Sequence, residues 1–113
     1  MMKILVTGNL GYVGSILVEE LSNRNYNVIG YDSGLFKKCN LIDTPFDPKT
    51  QILKDIRKVS ADDLKGIDAI IHLAALSNDP LGELSHGITE EINLESSYKL
   101  ASLAKKVGIK RFV

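Results

Sequence analysis

The chain has 113 residues, 44% apolar and 25% charged, the make-up of a soluble globular domain. A chain of this size buries roughly 60–70% of its unfolded surface. Fourteen Lys and Arg balance fourteen Asp and Glu, and basic residues adjoin only in pairs, at Lys37–Lys38, Arg57–Lys58, Lys105–Lys106 and Lys110–Arg111. Those pairs read as solvated surface, so nucleic acid and acidic membranes are not expected partners. No run reaches a secretory apolar stretch or the ~18–20 residues of a membrane span. Cys39 is the single cysteine, which excludes an internal disulfide and fits the reducing cytoplasm.

In chain order, Lys3–Thr7 is the first expected strand, and it runs straight into glycines at 8, 11 and 14. Val13, Ile16, Leu17 and Leu21 then form one stripe of a helix. Val28–Tyr31 reads as a second strand, followed by a loop over Ser33–Thr50 that contains Pro45 and Pro48. Gln51–Lys54 is a third strand. Ser60-Ala-Asp-Asp63 resembles a capping box, with Asp in place of Glu, for a short helix through Leu64. Ala69–Leu73 shows no in–out alternation, as expected of a strand covered on both faces. A second loop, Leu76–Gly87, contains Asn78-Asp79-Pro80. Ile92, Ser96, Leu100, Ala104 and Val107 mark a helix that stops at Lys105, Lys106 and Gly108. Arg111–Val113 opens a fifth strand. Strand–helix alternation implies right-handed crossovers and an α/β, doubly wound parallel sheet. The expected order is 3-2-1-4-5, with a crevice between strands 1 and 4 at their carboxyl ends.

A strand that delivers three glycines into a helix suits a dinucleotide phosphate. One glycine turns the chain sharply, one admits the backbone to a pyrophosphate, and one lets the helix close on the sheet. The first-turn N–H groups have no partner within the helix, and the helix dipole adds partial positive charge there. A P-loop is excluded because Gly14 is followed by Ser15 and Ile16, with no lysine for the phosphates. Asp32 ends the second strand, where a carboxylate accepts from ribose hydroxyls and repels a 2′-phosphate. No arginine adjoins it, so NAD is favoured over NADP, although Lys37 and Lys38 are near in sequence. Cys39, His72 and His86 lack the spacing of a metal site. Asn78 and Asp79 are open to two readings, turn chemistry or contact with a substrate.

Together these residues resemble the extended short-chain dehydrogenase/reductase family, in its NAD-dependent epimerase/dehydratase branch. The glycine run stands as Thr7-Gly-Asn-Leu-Gly-Tyr-Val-Gly14, followed by Asp32, Asp55-Ile56, His72-Leu-Ala-Ala75 and Asn93 in Glu-Ile-Asn-Leu. The resemblance implies a Rossmann-type sheet over 1–113, truncated around strand 5. It implies cofactor contacts from Gly8, Gly11, Tyr12, Val13, Gly14, Asp32, Asp55, Ile56, Leu73, Ala74, Ala75 and Asn93. Asp55 would accept from the adenine amino group, the Ile56 backbone would meet the ring edge, and Asn93 would hold active-site backbone. His72 reads as a core histidine rather than a catalyst.

The family's chemistry uses a Tyr-x-x-x-Lys pair and a Ser or Thr after strand 5. Here Tyr12, Tyr26, Tyr31 and Tyr98 are followed four residues on by Ile16, Gly30, Leu35 and Ser102. The expectation is therefore the NAD-binding portion of a nucleotide-sugar epimerase or dehydratase, inactive alone and without its substrate domain. The alternative is a stand-alone dinucleotide sensor. An unpaired fifth-strand edge would favour self-association.

Overall fold

The computed structural model describes residues 1–34, 50–76 and 86–113. The centre of the sheet is β1 (Lys3–Thr7), with every residue from Ile4 to Thr7 buried. It lies parallel between β2 (Asn27–Asp32) and β4 (Ala69–His72), so both of its edges are paired. Val6 stands in register with Gly30 on one side and Ile71 on the other. The outer strands are β3 (Thr50–Leu53) beside β2 and β5 (Arg111–Phe112) beside β4. The order β3-β2-β1-β4-β5 is the one expected from the alternation of elements.

Alternate residues of β1 serve different layers, as the two-residue period of a strand requires. Ile4 and Val6 pack with Val18 of α1 (Tyr12–Asn23), together with Val28 and Ala69. Leu5 belongs to the opposite layer, with Tyr31, Ile70, Leu64 and Leu100. Leu100 comes from the other crossover, which comprises α2 (His86–Glu90), a π turn (Glu91–Glu95) and α3 (Ser96–Val107). Helices thus cover both faces of the sheet, as in a doubly wound fold.

Two apolar stripes differ from expectation. In α1, Gly14 and Val18 are buried, while Val13 and Ile16 are 61% and 55% exposed. The helix is rotated because Gly14 sits against the turn before it: a Cβ there would lie 2.2 Å from the Gly8 carbonyl oxygen. In α3, Ser96, Leu100 and Ala104 are buried, but Val107 is 42% exposed. Gly108 takes a left-handed conformation (φ +83°) at the helix end. Its turn brings Ile109, rather than Val107, onto the core. The box at Ser60 caps a 3₁₀ turn, Ala61–Leu64, with the Ser60 N–H donating to Asp63 Oδ2 at 2.8 Å. Among the described residues no helix is long and apolar enough to cross a membrane.

Candidate functional site

The glycine turn is held by backbone. Gly8 donates to the Tyr31 carbonyl at 2.8 Å and has φ +72°, a region where a Cβ is strained. A Cβ there would also lie 2.8 Å from Ala74 N, so only glycine lets β1 pass so close to the end of β4. Gly11 is the N-cap of α1 and donates to Gly8 O at 3.1 Å. No side chain caps this helix and no acidic residue occupies its first turn. The first-turn N–H groups of Tyr12 and Val13, both exposed residues, thus have neither an intrahelical acceptor nor a capping side chain.

Asp32 lies beside this turn and fastens it. Oδ2 accepts the Leu10 N–H at 3.0 Å, and Oδ1 accepts the Gly34 N–H at 2.9 Å. A carboxylate oxygen has two acceptor sites, so both atoms retain capacity for a ribose hydroxyl. A second fastening was not read from the sequence. Buried Asn9 donates through Nδ2 to Gln51 Oε1 at 2.7 Å and accepts from Gln51 Nε2 at 3.1 Å. This amide pair lies over Gly30, where a Cβ would come 2.4 Å from Asn9 Nδ2. A glycine inside an otherwise apolar strand was the available signal, since it marks close approach.

At the end of β3, Asp55 caps the 3₁₀ turn Ile56–Lys58 by accepting the Arg57 N–H at 2.9 Å. Its carboxylate also takes the Arg57 guanidinium, with Nη2 to Oδ2 at 2.6 Å. These bonds hold Asp55 below the ordinary carboxylate range. Arg57 reaches on to Glu91 Oε2 at 3.0 Å, linking the turn to the π turn. Buried Tyr31 donates its hydroxyl to the Asp55 carbonyl at 3.1 Å. Burial, and then the nearby Asp63 and Asp55, push that phenol well above its usual range. Ile56 turns its side chain into the core.

The end of β4 is held from two sides. Thr7 Oγ1 accepts the N–H groups of Leu73 and Ala74, each at 3.1 Å. Thr7 Oγ1 also contacts His72 Nδ1 at 2.7 Å, and His72 Nε2 contacts Ser97 Oγ at 2.9 Å. Burial pushes the His72 imidazole below its ordinary range. From the π turn, the Asn93 amide spans Leu76: Oδ1 accepts its N–H at 2.8 Å and Nδ2 donates to its carbonyl at 3.0 Å. Leu73 and Ala74 are half-buried and Ala75 is exposed. π-bulges are rare and frequently occur at functional sites.

Gly8, Gly11, Gly14, Asp32, Leu73 and Ala74 thus gather around the mouth between β1 and β4. Asp55 and Ile56 stand beyond β2, at the far end of the same edge. Asn93 reaches the crevice through the backbone of Leu76. Lys37, Lys38, Cys39, Asn78 and Asp79 lie outside the described residues. Among the described residues no group of three or more His, Cys, Asp or Glu could hold a metal.

A parallel sheet of this order, with a glycine turn and an open helix N-terminus at its switch point, is the architecture of a dinucleotide-binding protein. Residues 4–113 match the NAD dependent epimerase/dehydratase family, and the chain belongs to it. It is 33% identical to an uncharacterized UDP-glucose epimerase, YtcB, of Bacillus subtilis (strain 168), over 99% of this chain and 39% of that protein. It is also 33% identical to a 3-beta-hydroxysteroid dehydrogenase of Mycolicibacterium neoaurum, over 98% of this chain and 31% of that one. Among solved structures, MoeE5 in complex with UDP-glucose and NAD superposes with a TM-score of 0.80 at 28% identity. That match covers 97% of this chain and 34% of MoeE5. The chain therefore spans between 31% and 39% of the length of these relatives.

Proposed function

We propose that the chain is the NAD-binding portion of a nucleotide-sugar epimerase- or dehydratase-like oxidoreductase. The observation that carries this is the uncapped N-terminus of α1, flanked by Asp32 and reached over a turn in which Gly8 and Gly14 leave no room for a Cβ. The donor set fits the cofactor. First-turn N–H groups from Tyr12 and Val13 take the pyrophosphate, and Gly8, Gly11 and Gly14 keep its path clear. Asp32 accepts from the adenosine ribose, while Asp55 and the Ile56 backbone meet adenine. Leu73, Ala74 and Ala75 give a small apolar surface for the nicotinamide side. Asn93 keeps that surface in place through Leu76.

When bound, NAD takes a hydride from a carbinol carbon and can return it. This chain orients the cofactor for that step. It contains no Tyr-x-x-x-Lys pair to move the hydroxyl proton, so these 113 residues alone bind without turning over a sugar nucleotide. The similarity to YtcB and MoeE5 supports a nucleotide-sugar substrate. Equal identity to a hydroxysteroid dehydrogenase favours a second reading, in which the hydroxyl belongs to a steroid. Both share this cofactor half. They are separated by which substrate reduces NAD with the polypeptide that carries these residues in the cell. A cytoplasmic site and self-association through the outer edge of β5 belong to the same proposal; light scattering at high concentration reads the second.

Calorimetric titration with NAD and NADP tests the core of the reading. NAD binds more tightly than NADP, and Asp32→Ala weakens NAD while narrowing that gap. Equal affinities for the two cofactors in the unmutated chain refute it.

A further inference from the structure

Hydrogen-bond counting fixes the state of His72. Ser97 Oγ lies 2.8 Å from the Asn93 carbonyl, which can only accept, so the single hydroxyl hydrogen of Ser97 goes there. Its 2.9 Å contact with His72 Nε2 must then be donated by the ring. The other side agrees with this assignment. Thr7 Oγ1 accepts the Ala74 N–H and shares the Leu73 N–H with the Thr7 carbonyl, each at 3.1 Å, and with the neutral ring protonated at Nε2 the Thr7 hydroxyl hydrogen goes to a bare His72 Nδ1, 2.7 Å away.

We infer that His72 is a positioning residue for the cofactor site: a neutral, Nε2-protonated imidazole that locks the Thr7 hydroxyl onto β4 and joins it, through Ser97, to the Asn93 clamp. The consequence is mechanical. The nicotinamide-side segment is held at Leu73 and Ala74 by Thr7 and at Leu76 by the Asn93 amide. Ser97 receives His72 on one side and donates to the Asn93 backbone on the other, so the two clamps form one circuit. A rotated or Nδ1-protonated ring would give Thr7 Oγ1 a third donor; Leu73 keeps its bond to the Thr7 carbonyl, so the Ala74 N–H would be the one released. The fixed tautomer therefore sets the glycine turn and the π turn in a single register. The link to cofactor rests on the reading of this crevice as the NAD site; the circuit itself does not.

Long-range proton–nitrogen NMR of the ¹⁵N-labelled chain near pH 8 tests the tautomer directly, with no variant. The expected result is a His72 proton on Nε2 and a bare Nδ1. A predominant Nδ1–H form overturns the inference. Amide hydrogen exchange then tests the circuit. Ser97→Ala speeds exchange at Ala74 and Leu76 about tenfold and lowers NAD affinity, while Ser97→Thr, which keeps the hydroxyl, restores both. Unchanged exchange in Ser97→Ala overturns it. If tautomer and exchange behave as expected but the unmutated chain binds no NAD, the circuit stands and the cofactor reading falls.

Discussion

Gly14→Ala sets two forces against each other. Gly14 is the third residue of α1, and replacing an interior helical glycine by alanine ordinarily stabilises by about 1 kcal/mol. Here the new Cβ would lie 2.2 Å from Gly8 O, 2.7 Å from Asn9 Cα and 3.0 Å from Asn9 C. All three are backbone atoms of the turn that Asp32 and Tyr31 hold, so no flexible side chain can move aside. Overpacking of this kind costs ~1–3 kcal/mol, with rigid contacts at the upper end. The net expectation is a loss of about 2 kcal/mol. At roughly 4 °C per kcal/mol for a chain of this size, Tm falls by about 8 °C in thermal melts followed by circular dichroism. Gly8→Ala adds a left-handed φ, worth about 1–2 kcal/mol, to a similar backbone clash and is worse. Gly108→Ala has open space and pays only the conformational cost. A Gly14→Ala chain as stable as the parent, or more so, would refute the argument that close approach rather than helix propensity governs this site.

Thr7→Val keeps the shape but removes the acceptor for Ala74 and the donor for His72; each buried group left unpaired costs about 1–3 kcal/mol, read in urea melts. Gly30→Ala destabilises by forcing Asn9 and Gln51 apart, and Asn9→Ala in the same chain recovers part of that loss. Strict additivity of the two changes contradicts this coupling. The folded His72 titrates below its ordinary ~6.5, so the unfolded chain binds more protons in the window beneath that value. Stability is full above about pH 6.5 and falls as pH drops through the window, and His72→Asn flattens the fall. A separate loss follows below about pH 4. Burial raises the Asp63 carboxyl, but Lys54 at 2.7 Å and Ser60 outweigh it and hold it low, so its protonation breaks that pair. Identical slopes between pH 7 and 5 with and without His72 would exclude it as the source.

What the sequence made legible was local. β1, its glycines and Asp32 lie within a stretch where strand length, turn chemistry and spacing act on neighbouring residues. The sheet order followed from alternation alone. Half of the α1 stripe holds, since Leu17 and Leu21 pack on the core, but Val13 and Ile16 turn outward because hydrophobicity alone omits the steric demand of Gly14. The fastenings of the crevice were not legible because they join residues far apart in the chain. Asn9 meets Gln51 over 42 positions, Thr7 meets His72 over 65, and Arg57 meets Glu91 over 34. No periodicity announces such pairs; only the sheet order brings them together.

These fastenings change what a binding defect at Asp32 means. Its carboxylate holds Leu10 and Gly34 through their backbone N–H groups, and in the proposed reading it also faces the ribose. On that reading Asp32→Ala loosens the glycine turn and removes a ligand contact at once, and a weaker NAD complex alone does not separate the two. The ratio of cofactor affinities does. A loosened turn presents its N–H groups less well to the pyrophosphate, which NAD and NADP share, so both affinities fall by the same factor. Loss of the negative charge relieves repulsion of the 2′-phosphate, which only NADP carries. If Asp32 acts only as a fastener, Asp32→Ala leaves the NAD-to-NADP ratio where it was. If it also reads the ribose, the ratio collapses toward one while the melting temperature reports the fastening separately.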